Sequence, residues 1–263
     1  MRAIDRLNRA LLRHERITLA VSGGVDSMTL AHVAHAVLPG DAVEICHALS
    51  PAVPAGASAR VADHAARHGW RLHRLDAGEF ADPDYLRNPV NRCYFCKSNL
   101  YRRIRETVSG PVASGANTDD LGDYRPGLEA ARELGIVHPF IEAECSKADV
   151  RAIARSMGLD DLSELPAQPC LASRIETGLR VTPEDLRFIE ETEAALTRLA
   201  PGETLRCRVV AGGVRIEMSD VIAGDRILCR RLRQVAQECC TAAGRPLVAL
   251  EPYRRGSAFL HAS

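Results

Sequence analysis

Cys93 and Cys96 stand three residues apart in "NRCYFCKSNLY", with Lys97 directly behind them. On a helix, that spacing puts both thiols on one face, where they can hold a metal ion together. Two ligands do not complete a site, so a third is expected from elsewhere in the chain. A second constellation lies in "LAVSGGVDS", residues Ser22, Gly23, Gly24, Val25, Asp26 and Ser27. Paired glycines let the backbone approach an anion, and a helix opening behind them offers unpaired N–H groups and its positive end. Ser22 and Ser27 add hydroxyl donors. A carboxylate repels phosphate unless a cation lies between them, so Asp26 points to Mg²⁺ with pyrophosphate. A Walker-type loop is excluded, because no Lys-Ser or Lys-Thr follows the glycines.

The elements that must position these groups are legible in outline. "ITLAV" at 17–21 is a short buried strand that delivers the glycine loop, and "MTLAHVAHAVL" continues as a helix to Pro39-Gly40. "AVEICHALS" and "RLHRLDA" are further strands on either side of the helix "ASARVADHAARHGW". The thiols open a helix through "CKSNLYRRIRETV", and "GPVASGA" is a fourth strand. Near "PFIEAECSKADV" another strand end is expected, then a helix capped by Ser146. Strands alternating with helices predict an α/β fold, a parallel sheet with helices on both faces. "SELPAQPCLASRIETGLRVTPEDL" breaks the pattern and reads as an ordered loop at a domain boundary. A helix near 183–199, a hairpin turning at Gly212-Gly213, another helix and a last strand then predict a smaller α+β domain. The expected division is 1–165 and 166–263.

Composition narrows the partners. The 263 residues are 46% hydrophobic and 26% charged, with 34 basic and 34 acidic groups, so no broad basic footprint for nucleic acid exists. No apolar run reaches about 18 residues, which predicts no membrane span. The amphipathic, charged first helix lacks the apolar stretch of a signal peptide, and a cytoplasmic protein is expected. There the nine cysteines stay reduced, and close pairs favour metal or redox chemistry over disulfides. Cys46 and Cys229 read as core residues, Cys145 as the residue before a helix cap, and Cys239-Cys240 as packing on an alanine-rich helix. Cys170 differs: it sits in the irregular loop "AQPCLASRI", close to Ser173 and to Arg174, whose charge favours a thiolate. Three thiolates without a fourth ligand suit a [4Fe–4S] cluster with one open iron better than a closed zinc site. A zinc clip, or thiols with no metal, are the alternatives. The histidines read as scattered singly rather than as a ligand set.

"SGGVDS" resembles the PP-loop of the ATP pyrophosphatase superfamily. Together with "HALSPAVP", "CYFCKSNLY", "GANTDDLGDYRPGL", "PCLASRI" and "TLRCRV", in that order, the chain resembles the LarE-type ATP-dependent sulfur transferases over roughly residues 10–257. That resemblance implies activation of a carboxylate by ATP, with release of pyrophosphate, and replacement of AMP by sulfur. The acceptor implied is a pyridinium-3,5-dicarboxylate mononucleotide on the route to a nickel-pincer cofactor. It implies nucleotide contacts from Ala20, Ser22, Gly23, Gly24, Asp26, Ser27, Ala48, Ser50, Gly115 and Arg125, with Asp119, Asp120 and Asp123 shaping the pocket. Lys97 would neutralise developing charge, and Ser173, Arg174, Arg206 and Arg208 would hold the substrate's phosphate. Glu193 aligns with a metal-contacting acid. In one branch of the family the cysteine matching Cys170 gives up its own sulfur. In the other it joins a CxxC pair around an iron–sulfur cluster, and Cys93, Cys96 and Cys170 fit that branch. Sulfide or another sulfur donor, and a homo-oligomer, are further implications.

Two stretches depart from the family pattern. Ile175-Glu176-Thr177-Gly178 stands where an aromatic-Pro-Tyr-Gly run is common, and "PYRRGSAFL" replaces a Gly-aromatic-Arg-Ser-Gly run. Both concern the substrate rather than ATP. A tRNA-thiolating enzyme of the same superfamily is the first competing reading, disfavoured by the zero net charge and the absence of paired CxxC/H motifs. A non-catalytic nucleotide-binding or redox-sensing module is the second.

Overall fold

The computed structural model describes residues 1–122 and 125–254. The chain forms two compact units, 1–82 with 91–168, and 83–90 with 169–263. Pro83–Val90, which the sequence places in the first domain, thus packs with the second unit. Its tether is visible: Asn88 donates from its side chain to the carbonyls of Ile175 and Glu176 and accepts from the Gly178 N–H. Among the described residues, no helix is long and apolar enough to cross a membrane.

The first unit is the α/β layer structure expected. Strands β1 (Ile17–Ala20), β2 (Val43–Ala48), β3 (Arg71–Leu75) and β4 (Val112–Ser114) form a wholly parallel sheet in the order β3-β2-β1-β4. The chain adds strands outward from β1 to β3, then returns to the other side of β1 with β4. The switch therefore falls between β1 and β4, whose carboxyl ends open onto the crevice where such sheets bind ligands. The strand expected near 137 shrinks to a single bridge between Ala113 and Val137. Pro139 follows at once and opens a short helix, which ends the extended run.

Helices α1 (Ala3–Leu11), α2 (Val25–Val37), α3 (Ala55–His68), α4 (Arg92–Thr107), α5 (Pro126–Glu133) and α6 (Lys147–Ser156) cover both faces. Alternation along the strands decides which face each side chain serves. Ile17, Leu19, Val43 and Ile45 join Leu7, Leu11, Met28, Val61 and Ile153 in one core. Ala20 and Cys46 turn instead to Tyr101, Ile104 and Ala131 on α4 and α5. Each fully buried Leu or Ile contributes roughly 1.5–3 kcal/mol. Gly69, at φ +64°, terminates α3, and Ser146 with Asp149 forms a reciprocal capping box at α6. His47 is buried and ties the layers by bonding the Val21 carbonyl (2.7 Å) and the Ser58 hydroxyl (2.8 Å).

The second unit has β5 (Leu205–Val210) antiparallel to β6 (Gly213–Met218), which pairs in parallel with β7 (Leu247–Pro252). Helices α7 (Pro183–Thr197) and α8 (Arg226–Ala242) accompany this mixed sheet. Thr182 caps α7 through the Asp185 N–H, with Pro183 in the first turn where no donor is lost.

Candidate active site

The glycine loop bridges the end of β1 and the start of α2. Gly23 adopts φ +82°, and a Cβ there would lie 2.6 Å from the Ala57 carbonyl oxygen at the start of α3. Only glycine fits. Gly115, just past β4, approaches from the other side: its Cβ would stand 2.7 Å from the Ser27 nitrogen. The sheet's switch point is thus pinched around the first turn of α2, with no room for side chains between backbones. Gly24 caps α2 without any side-chain bond, so N–H groups at the positive end of a 13-residue helix stay available to an anion. Ser22 and Ser27 share a hydroxyl–hydroxyl bond (3.1 Å), and Ser27 accepts from the Ser22 N–H (3.1 Å), which fixes the loop.

Asp26 is held by two residues that the sequence reading did not single out. Lys147 donates to its carboxylate at 2.5 Å, and the buried Asn117 donates from 3.3 Å. A lysine in the first turn of α6 opposes the helix dipole, and that mismatch is a sequence signal for a role outside the helix. Arg60 is a third such residue, donating to the Gly23 carbonyl at 2.7 Å and so bracing the loop from α3. Asp26 with its two donors Lys147 and Asn117, and Arg60 on the Gly23 carbonyl, thus brace the loop at the open helix end.

The remaining predicted nucleotide residues have defined places. Ala20 and Ala48 sit at the carboxyl ends of the neighbouring strands β1 and β2, partly buried against the cluster that holds Cys46 and Tyr101. Ser50 accepts from the Ala52 N–H and stabilises the turn after β2. Asp120 caps the turn at Asn117 and pairs with Arg125 at 3.1 Å, so this pair shapes the backbone after β4. Asp119 donates its N–H to the Asn117 side chain. Asp123 lies outside the described residues.

Cys93 and Cys96 ride on the first turns of α4, one exposed and one half-buried. Lys97 lies over the Tyr101 ring, 5.8 Å from its centroid. Gly127 in α5 shows how closely that helix meets this face: its Cβ would reach 3.0 Å from the Lys97 Cγ and 3.7 Å from the Cys93 carbonyl. Burial pushes the Cys46 thiol up to about 12 and raises Cys145, Cys207 and Cys240 as well. Those four are unreactive interior thiols. Cys229, expected in the core, is only half-buried, its sulfur against the Ile222 carbonyl and Met218.

Cys170, Ser173, Arg174, Arg206 and Arg208 belong to the second unit, whereas Cys93 and Cys96 belong to the first. Cys170 is half-buried and opens a single turn, Leu171–Arg174. Arg174 is 4% exposed and forks onto both oxygens of Glu193 (3.0 and 3.1 Å). Its remaining nitrogen donates to the Pro169 and Cys170 carbonyls and to the Ser173 hydroxyl. The guanidinium therefore shapes the cysteine loop through its backbone, with its charge answered by Glu193, rather than standing as a free cation beside the thiol. Glu193 also accepts from the Cys207 N–H. Arg206 and Arg208 share a strand face but differ in state. Arg208 is buried, paired with Glu217 at 2.8 Å and donating to the Ser173 carbonyl. Arg206 stacks over Tyr253 at 6.0 Å, and among the described residues no carboxylate pairs with it. Burial first, then the charge of Arg174, draws Arg206 below the usual arginine range.

The histidines do not remain scattered as the sequence suggested. His32 of α2 and His64 and His68 of α3 converge, with ring nitrogens within 4.8 Å of one another. The separation between 32 and 64 in the chain hides a pairing that only helix packing creates.

No family model matches the chain. An uncharacterized protein of Synechocystis is 40% identical over 211 residues, 78% of this chain and 76% of the relative. The pyridinium-3,5-bisthiocarboxylic acid mononucleotide synthase of Lactiplantibacillus plantarum is 29% identical over 220 residues, 82% of this chain and 79% of that protein. An uncharacterized protein of Methanocaldococcus jannaschii is 27% identical over 214 residues, 79% of each chain. With similarity running through most of each relative, and a glycine loop built at the switch point of a parallel sheet, the chain belongs to the LarE-type sulfur transferase family.

Proposed function

We propose that the protein is an ATP-dependent sulfur transferase that converts a carboxylate of a pyridinium-3,5-dicarboxylate mononucleotide into a thiocarboxylate. The observation that carries the ATP chemistry is the loop Ser22–Ser27, closed by two glycine contacts and left open at the head of α2. The acceptor rests on the likeness to the Lactiplantibacillus synthase, whose product is a pyridinium-3,5-bisthiocarboxylic acid mononucleotide.

In this reading the α2 N-terminus and the serine hydroxyls receive the leaving pyrophosphate, and Asp26, paired with Lys147, would hold Mg²⁺, which when bound would shield the phosphate charge. A substrate carboxylate oxygen attacks the α-phosphorus of ATP, and the α–β bridging bond breaks to release pyrophosphate. The acyl-adenylate so formed carries AMP as a good leaving group, which a free carboxylate lacks. A sulfur nucleophile then bonds the acyl carbon and AMP departs with the C–O bond electrons. Arg206, with Ser173 on the adjoining turn, receives the substrate's phosphate, and Arg174 with Glu193 keeps that turn in shape.

Cys93 and Cys96 fit a soft metal centre, since both reach the surface from one helix face and both are thiols. With Cys170 as third ligand they would hold a [4Fe–4S] cluster, which when bound would supply the sulfur. A single-turnover route through the sulfur of Cys170 itself is the variant of this reading. Supplying ATP, Mg²⁺, the dicarboxylate mononucleotide and sulfide without oxygen should yield pyrophosphate, AMP and thiocarboxylate in equal amounts. ATP binding with no pyrophosphate release, or release only with bulk tRNA, would refute the proposal in favour of a binding module or a tRNA thiolase.

A further inference from the structure

We propose that His32, His64 and His68 form a binding site for one divalent transition-metal ion such as Zn²⁺, separate from the thiols and the glycine loop. His64 and His68 lie four residues apart on α3, so they occupy one helix face. His32 meets them from α2, its Nε2 only 2.8 Å from the Nδ1 of His64. His64 bonds the Asp161 carboxylate through its other nitrogen at 3.1 Å. A carboxylate there fixes the imidazole in the form with a proton on Nε2 and a lone pair on Nδ1, the arrangement that orients metal-bound histidines. The lone pair of His64 points into the cluster. His32 completes the set once its proton sits on Nδ1.

The environment matches a nitrogen-ligated cation. His32 and His64 are 8% and 2% exposed, while His68 faces solvent and leaves an entry path. Three imidazoles with no hard oxygen ligand select Zn²⁺, Co²⁺, Ni²⁺ or Cu²⁺ over Mg²⁺ or Ca²⁺. Two nitrogens on one ion at about 2.0–2.1 Å stand roughly 3.3–3.4 Å apart in a tetrahedral site. The His32–His64 pair therefore has to open from 2.8 Å while the wider separations, all within 4.8 Å, close, and the exposed His68 is the ring with room to move. His32 lies seven residues into α2, roughly 10 Å along its axis from the glycine loop. The ion would clasp α2 to α3 at the end opposite the Gly23–Ala57 contact.

Trp70 is the only tryptophan in the chain, and its ring centre lies 4.7 Å from His32 and 5.7 Å from His68. It reports the site directly. The test is titration of chelator-treated full-length protein with Co²⁺, following Trp70 emission. One quenching ion per chain is expected. His68→Ala, a surface change that spares the fold, should weaken it at least tenfold, and Asp161→Asn about 10–100-fold. Co²⁺ held by thiolates is told apart by its intense sulfur-to-metal absorption and by persisting in His68→Ala. Absence of quenching, or quenching that is the same in both variants as in the parent, overturns the proposal.

Discussion

Replacing Gly23 by alanine tests the architecture of the glycine loop most directly. The new Cβ would stand 2.6 Å from the Ala57 carbonyl oxygen and 3.0 Å from two further Ala57 backbone atoms, against an ordinary contact near 3.4 Å or more. None of these is a side chain that can swing aside, so α3 must retreat. The φ of +82° adds a left-handed penalty of about 1–2 kcal/mol, and overpacking adds about 1–3 kcal/mol. The sum, roughly 2–5 kcal/mol, lowers the melting temperature of a unit this size by about 5–15 °C. Trp70 emission isolates the transition of the first unit, because that unit holds the only tryptophan. Gly24→Ala is the internal control: its φ is −81° and the nearest atom to its Cβ is the Ser22 hydroxyl at 3.6 Å. It should cost about 1 kcal/mol or less, as an alanine at a helix cap does, while still slowing pyrophosphate release. Equal melting temperatures for the two variants would show that the pinch between Gly23 and Ala57 is not what shapes the loop.

Lys147→Met should leave stability within about 1 kcal/mol, since the pair with Asp26 is partly solvated. It should raise the KM for ATP by about tenfold, the worth of one charge-assisted bond; an unchanged KM removes Lys147 from the site. Arg174→Ala strands Glu193 in the second unit and should cost about 3–5 kcal/mol in urea denaturation, and Arg174→Lys should not restore it because the two-pronged contact is lost. Anaerobic purification should give iron and sulfide in the parent and in Cys46→Ala but not in Cys93→Ala, Cys96→Ala or Cys170→Ala; iron retained in all three ends the cluster reading. Finally, His32 takes up its proton near pH 3 when folded but at 6.5 in the unfolded chain, so the unfolded state gains protons first as pH falls. Stability should be full above 6.5 and decline below it by about 1.4 kcal/mol per pH unit for this group. A denaturant midpoint that does not move between pH 7 and 5 would contradict the neutral buried cluster.

The sequence by itself determined the elements that local chemistry can name. Two glycines and two serines after an apolar run announce an anion loop wherever the chain lies, because φ freedom and hydroxyl donors are properties of the residues themselves. Strands alternating with helices likewise announced the parallel sheet, and Ser146 its helix start. Tertiary structure alone decided the rest. Lys147 reaches Asp26 across 121 positions, and His32 reaches His64 across 32. Pro83–Val90 joins the second unit through Asn88. Arg206 and Arg208 look equivalent on their strand until one is buried against Glu217 and the other left over a tyrosine ring. Such pairings carry no periodic signal, since they depend on which faces of distant helices and strands are pressed together when the cores close.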